Sequence, residues 1–172
     1  MNKKNLYQNT ILSFGFFYAV LGILFMLIHN PMDTEKTTGN IILGFIGFFI
    51  FIGIFVISVW YYKSQGEKVS LGKAVKIGVL SGLVGGIILS IYSYFYFTSL
   101  HPEALEMALE MAREKLSEND DFTPEMIEKQ MQSMKSMMLP IQLISQVFGG
   151  MFYGLIGGLL GGFFYKERTE DY

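Results

Sequence analysis

The sequence contains no cysteine. A disulfide framework, a thiolate metal site and a cysteine nucleophile are therefore excluded, and cysteine usage gives no information about the redox compartment. The chain also lacks a basic patch interleaved with aromatic residues, and its formal net charge is only -2. Because nucleic-acid binding needs clustered Lys and Arg side chains that neutralise phosphates, we predict no nucleic-acid partner.

Charged residues are missing from four long tracts of the chain. Lys, Arg, Asp and Glu are absent from residues 5–32, 37–62, 77–102 and 136–165. A helix crosses the hydrocarbon core of a bilayer with roughly 20 residues, because each residue adds ~1.5 Å of length. Each tract is long enough, so we predict an all-α membrane protein, a bundle of four transmembrane helices that forms a single membrane domain over residues 1–172. The predicted spans are residues 9–28, 41–62, 77–100 and 141–165.

The first tract has a second interpretation. Lys3 and Lys4 precede the apolar run Ile11–Ile28, which is the order found in a secretory signal peptide. The run is long for that purpose, and residues 29–33 offer no small-x-small cleavage motif. A retained first span is therefore the favoured interpretation.

Basic residues alternate between the two sides of the predicted bundle. The N-terminal tail carries Lys3 and Lys4, the second connection carries four lysines against one acid, and the C-terminal tail carries Lys166 and Arg168. The first connection has a single base and two acids within residues 33–36, and the third has nine acids and four bases. Cytoplasmic flanks of membrane spans are enriched in Lys and Arg, so we predict that both termini are cytoplasmic.

Small residues recur at every fourth position in the third and fourth spans. These residues are Ala74, Gly78, Gly82, Gly86 and Ser90 in the third, and Gly150, Gly154, Gly158 and Gly162 in the fourth. Residues four apart lie above one another on a helix, so each span has a groove in which another backbone can approach. We predict that these residues are helix-packing sites that join the two spans within one monomer. A homo-oligomeric interface and a pore lined by the glycine faces stay open as alternatives.

Acidic and basic side chains are absent from the middle of the predicted spans. Ion-coupled transporters need such a group as a relay or counter-charge. No nucleophile lies with a base at one membrane depth, so we predict no enzyme, no catalytic residue, no cofactor and no metal. Gln142 and Gln146 lie one turn apart near the outer end of the fourth span. We expect them to form interhelical hydrogen bonds, and a polar vestibule is the alternative.

Residues 101–139 are predicted to form an extracytoplasmic amphipathic helical hairpin between the third and fourth spans. Thr123 and Pro124 have the residue types of a helix N-cap and first helical position, and Pro140 is expected to mark the start of the last span. We expect the two helices to lie on the outer membrane surface or to fold over the mouth of the bundle. Their apolar positions at helical spacing are Leu105, Leu109, Ala112 and Leu116, then Ile127, Met131, Met134 and Met138.

The hairpin is rich in methionine, with seven of the eleven methionines of the chain. Clustered thioethers outside the cytoplasm can bind the soft ion Cu(I). Methionine at helical spacing also serves as an adaptable apolar filler, and this is the favoured interpretation. Binding of Cu(I) is the less favoured alternative.

Four motifs, in this order and spacing, carry a resemblance to a known family. They are residues 69–78 at the opening of the third span, the aromatic residues 92–97, the start of the hairpin at 101–105, and residues 123–128. In these features the chain resembles DUF4199, a family of small bacterial four-span membrane proteins that is a domain of unknown function. The resemblance covers nearly the whole chain and implies a location in the bacterial inner membrane. It implies no activity and no catalytic residues.

Three classes of function are compatible with the sequence. The favoured hypothesis is a non-enzymatic membrane component, surrounded by membrane lipids, that assembles with a second copy of itself or with another membrane protein. The alternative is a small transporter or channel subunit. A membrane enzyme ranks third.

Overall fold

The structure is a computed structural model that describes residues 3–28, 37–119 and 122–166, and within these residues the chain has no strand. The helices are α1 Lys3–Ile28, α2 Thr37–Ser64, α3 Leu71–Phe95, α4 Glu103–Ser117 and α5 Pro124–Tyr165, and a π-helix Tyr96–Leu100 directly follows α3. Four helices are long and apolar enough to cross a membrane: α1, α2, α3 with its π-helix, and α5. The predicted all-α fold with four long apolar helices is confirmed.

Around the bundle, the four long helices follow one another in the order α1, α3, α5, α2, and each packs against the next. Neighbouring glycines give the directions of the chain. Gly78 lies beside Gly154 and Gly82 beside Gly150, so α3 and α5 are antiparallel. Gly22 of α1 lies beside Leu89 of α3, whereas Gly15 lies beside Ser81, so α1 and α3 are parallel. Because α3 contacts both α1 and α5, it is the helix that joins the bundle together.

Two buried clusters fill the space between the helices, one toward each end. The cluster near the N-terminus consists of Leu6, Val59, Tyr62, Val69, Ala74 and Ile77. The other consists of Tyr18, Ala19, Ile54, Phe55 and Leu89. In the second cluster the ring centroid of Tyr18 lies 5.2 Å from that of Phe55 and 5.3 Å from that of Phe51. At these separations aromatic rings attract each other through their edges and faces, beyond the effect of burial alone.

The start of α1 and the connection between α2 and α3 meet at one end of the bundle. The ammonium groups of Lys3 and Lys73 lie 3.6 Å and 3.9 Å from the carboxylate of Glu67. Lys73 also lies over the ring of the buried Tyr62, with its nitrogen 4.7 Å from the centroid. This end is the one that the basic residues predict to be cytoplasmic. Residues 33–36 and Arg168, which also entered that prediction, lie outside the described residues.

The last helix contradicts the prediction that Pro140 begins a new span. α5 runs without interruption for 42 residues, with Pro140 in its interior. Thr123 caps its first turn as predicted, with its hydroxyl oxygen 3.4 Å from the backbone nitrogen of Met126. Proline removes one backbone hydrogen bond, here the one to the carbonyl of Ser136, without preventing helix on both sides. The flanking Met, Gln, Lys and Leu residues favour helix, so they keep α5 continuous through this position.

The length of α5 exceeds what a membrane crossing requires. At ~1.5 Å per residue the helix is about 63 Å long, roughly twice the ~30 Å thickness of a hydrocarbon core. Its first half packs against α4. α4 and α5 are in contact, but the second helix of the predicted hairpin is the same helix as the last span. The residues on both sides of the predicted boundary at 139–141 therefore belong to one helix.

Buried hydroxyl groups in the bundle differ in how they are satisfied. The hydroxyl of Ser58 donates to the carbonyl oxygen of Phe55 at 2.7 Å, and that of Thr10 donates to Leu6 at 2.8 Å. Ser81 is fully buried on α3, and its hydroxyl has no hydrogen-bond partner within the described part of the chain. A buried hydroxyl without a partner costs roughly 1–3 kcal/mol, so Ser81 lowers the stability of the bundle.

We expect Ser81→Ala to raise the free energy of unfolding by about 1 kcal/mol, because it removes the unpartnered hydroxyl. Ser58→Ala is the matched control, and it should lower the same quantity by about 0.5–1.5 kcal/mol because it deletes a hydrogen bond. Unfolding of the purified protein in detergent micelles, followed by circular dichroism, measures both changes. A loss of stability in Ser81→Ala as large as that in Ser58→Ala would contradict this account.

Candidate functional site

The antiparallel contact between α3 and α5 is made by backbone atoms. A Cβ atom on Gly78 would overlap the carbonyl group of Gly154, and a Cβ on Gly82 would overlap that of Gly150. At the ends of the contact, a Cβ on Gly86 would lie 2.8 Å from the carbonyl oxygen of Gln146. These separations are shorter than a carbon atom tolerates. The two helices therefore meet at a distance that only glycine permits, and no side chain or water path separates them there.

Eight of the predicted helix-packing residues lie in this contact. Ala74 faces Gly158, where a Cβ would lie 2.9 Å from the Ala74 carbonyl oxygen, and a Cβ on Gly162 would lie 2.8 Å from Leu71. Ser90 is half-buried and lies one turn beyond Gly86, next to Leu89. The eight residues that the structure brings together are Ala74, Gly78, Gly82, Gly86, Gly150, Gly154, Gly158 and Gly162.

Two further close contacts were not predicted from the sequence. On α3, a Cβ on Gly85 would lie 2.5 Å from the carbonyl oxygen of Gly15 in α1. On α5, a Cβ on Gly157 would lie 2.5 Å from the Cβ of Phe55 in α2. The sequence contains a pattern that could have revealed the contact of α3 with α1. Ser81 and Gly85 repeat the four-residue spacing of small residues, one residue before Gly82 and Gly86. Each of α3 and α5 thus has two small-residue faces.

A cavity of about 310 Å³ lies between α1, α2, α3 and α5. Two members of its lining, Gln142 and Gln146, come from α5, and Leu89 comes from α3. The aromatic members of the lining are Tyr18, Phe25, Phe51, Phe97 and Tyr153. The cavity begins where the glycine contact ends, because the backbone of Gln146 touches Gly86 while its side chain faces the cavity.

Gln142 and Gln146 do not form the expected interhelical hydrogen bonds. Both side chains are half-buried along the cavity, and neither is hydrogen-bonded to any residue that the structure describes. The alternative prediction, in which the two glutamines line a polar vestibule, agrees with this placement. Each amide keeps two N–H donors and one carbonyl acceptor for a group inside the cavity.

Four of the five aromatic residues of the lining pack together into a continuous wall. The ring centroid of Phe51 lies 5.3 Å from that of Tyr18, 5.6 Å from that of Tyr153 and 5.7 Å from that of Phe25. The Phe51 ring stands at 70° to Tyr18 and 72° to Phe25, which are edge-to-face arrangements. Rings in these arrangements attract each other, so the four side chains stabilise one another as one side of the cavity.

A groove along α5 adjoins the cavity. Gln142 lines both, and the other groove residues include Met126, Met134, Met137 and Ile141. We refer to these five residues as the α5 groove. Lys129 also lines it. An ammonium group repels a metal cation, so its position disfavours the Cu(I) alternative.

The glycine contact gives a prediction with a control on the neighbouring residue. Gly150→Ala should lower the free energy of unfolding by roughly 1–3 kcal/mol, because the new methyl group has no room beside Gly82. Gly149→Ala should leave it unchanged or raise it slightly, because no atom lies within 4 Å of a Cβ at that position. The larger changes Gly82→Leu and Gly154→Leu should prevent α3 and α5 from closing. Thermal unfolding in detergent measures all four, and equal stability of the two alanine variants would refute the contact.

No curated protein and no solved structure matches the chain. The profile of one family, described as "Protein of unknown function (DUF4199)", matches residues 13–167. The matched region begins inside α1 and extends past the end of α5, so it contains the glycine contact, the cavity and the α5 groove. The resemblance carried by the sequence motifs is confirmed. The chain belongs to the DUF4199 family.

Proposed function

We propose that the protein is a non-enzymatic, multi-pass component of the bacterial inner membrane that acts by assembling with a second copy or with another membrane protein. In this proposal both termini are cytoplasmic, and α4 with the first half of α5 lies outside the cytoplasm. One observation carries it. The glycine faces are occupied within the monomer, whereas α5 continues far beyond a membrane crossing and keeps apolar side chains exposed there.

The exposed side chains of the α5 groove support assembly through this part of the protein. Met126 and Met137, which precede the predicted span at residues 141–165, are 50% and 56% exposed. Apolar side chains gathered on one exposed surface are typical of an interaction site, and methionine adapts its shape to different partners. In a membrane span such exposure is met by lipid, but the first half of α5 exceeds the length that lipid can cover.

The position of α4 is supported at its start and along its length. At its start, the ring nitrogen Nδ1 of His101 donates a hydrogen bond to the carboxylate of Glu103 at 2.9 Å and so lowers the pKa of that carboxyl. The ring of His101 also lies against Tyr96, with centroids 4.9 Å apart. Along its length α4 packs on α5, where Ile127 is buried. This support favours a fixed platform over a loose loop.

A transporter or channel is the weaker alternative. The pore that the glycine faces suggested would run between α3 and α5, where the backbones of Gly82 and Gly150 touch. The middle of each predicted span also lacks an Asp, Glu, Lys or Arg side chain that could couple transport to an ion gradient. Both observations favour assembly over conduction.

The proposed orientation is testable with single cysteines, because the chain has none of its own. Ser117→Cys on α4 and Ser64→Cys at the end of α2 place thiols at exposed positions. A maleimide that does not cross the inner membrane should label the thiol at position 117 in intact cells and the thiol at position 64 only after the membrane is opened. Labelling of position 64 in intact cells would reverse the orientation.

Assembly is testable by photo-crosslinking in native membranes. A photoreactive amino acid at Met137 lies in the α5 groove, and one at Ser136 lies on the same helix but outside it; both positions are exposed. We expect a discrete protein adduct from position 137, with the mass of a dimer or of a fixed partner, and much less from position 136. Adducts with lipid alone, or equal protein adducts from both positions, would contradict assembly through this groove.

A further inference from the structure

We propose that the cavity between α1, α2, α3 and α5 binds a neutral amphiphile, that is, an apolar molecule with one carbonyl or hydroxyl group. This inference goes beyond the assembly function and does not depend on it. It rests on the size of the cavity, on the chemistry of its lining and on its connection to the α5 groove.

The size of the cavity suits a small molecule. Its volume of about 310 Å³ lies at the lower end of the range of roughly 300–1,000 Å³ that is typical of ligand pockets. Such pockets are mostly apolar with a few convergent polar groups. Here the wall is built around Phe51, and the convergent polar groups are the amides of Gln142 and Gln146.

The two amides define the polar part of the ligand. Neither is hydrogen-bonded to another residue within the described part of the chain, although both lie among aromatic side chains. Both residues are half-buried and their amides are accessible from the cavity, so a bound group that accepts or donates can form hydrogen bonds with them. Gln142 and Gln146 are one turn apart, so a single carbonyl or hydroxyl group can lie between them.

The lining disfavours a charged ligand. None of the described residues that line the cavity is Lys, Arg, His, Asp or Glu. An ion would lose its water without gaining a counter-charge, which is strongly unfavourable. Aromatic faces attract cations, but Phe51 already packs edge-to-face with Tyr18 and with Phe25, at 70° and 72°, so part of this aromatic surface is occupied by other rings.

The α5 groove extends the apolar surface beyond the cavity. Gln142 lines both, and Ile141 lies beside it in the groove. A ligand whose polar group lies at Gln142 and Gln146 therefore has apolar surface on two sides, the aromatic wall and Ile141. This arrangement fits a molecule with an alkyl chain better than a compact polar solute.

The test uses the purified full-length protein in nanodiscs and decanamide that carries a photoreactive diazirine. We expect saturable labelling that maps by mass spectrometry to the cavity segment of α5, residues 142–153. Unlabelled decanamide should compete at least tenfold better than decanoate or decyltrimethylammonium. Charged analogues that compete equally well, or labelling that does not saturate or maps elsewhere, would overturn the proposal in the native protein.

A glutamine variant and a matched control locate the polar contact. The double variant Gln142→Leu with Gln146→Leu keeps the side-chain size and should weaken decanamide binding about tenfold, because two hydrogen bonds are lost. Gln132→Leu changes a glutamine on the same helix that lies outside the cavity, and it should bind like the native protein. Unchanged affinity in the double variant, or an equal loss in Gln132→Leu, would overturn the assignment. Failure here leaves the crosslinking result at Met137 unaffected, so the two proposals are tested separately.

Discussion

The contact of backbone against backbone between α3 and α5 is the constraint on which the rest of the bundle depends. Lipid tails are as apolar as leucine side chains, so burying apolar area does not hold helices together in a membrane. Dispersion between closely approaching backbones does, and it requires residues such as Gly82 and Gly150. Once this distance is set, the second small-residue faces of the same two helices position α1 beside Gly85 and α2 beside Gly157. The cavity follows from the same contact, because it opens where the glycine repeat gives way to Gln146.

The glycines that permit this contact lower the intrinsic stability of the helices, and a bilayer compensates for that loss better than water does. Glycine loses more conformational freedom than other residues when it becomes helical, and many glycines weaken an isolated helix in water. In a bilayer the unfolded backbone has no water to bond with, so the helix persists without good helix formers. The glycines that would make α5 a poor helix in solution can therefore be used for close contact between helices. Its first half, which carries α4, contains ordinary helix-forming residues instead.

Much of the fold could be predicted from the sequence where one physical rule acts alone. The charge-free tracts predict the four long apolar helices because hydrocarbon excludes charge, and the Thr123-Pro124 start of α5 follows from helix capping. The prediction failed at Pro140, where a local breaking tendency competes with helix formers on both sides. The side chains of Gln142 and Gln146 could be recognised as unusual, but their environment depends on where α1 and α2 place aromatic rings. No spacing within one helix reveals a cavity that four helices line together.

The unbroken course of α5 has a mechanical consequence. α5 is held by α4 along its first half and by α3 along its second half. Between these two parts lie Pro140, where one backbone hydrogen bond is missing, and the cavity residues Gln142 and Gln146. A displacement of α4 relative to α3 would therefore bend α5 most easily at Pro140 and change the cavity before it changed the glycine contact.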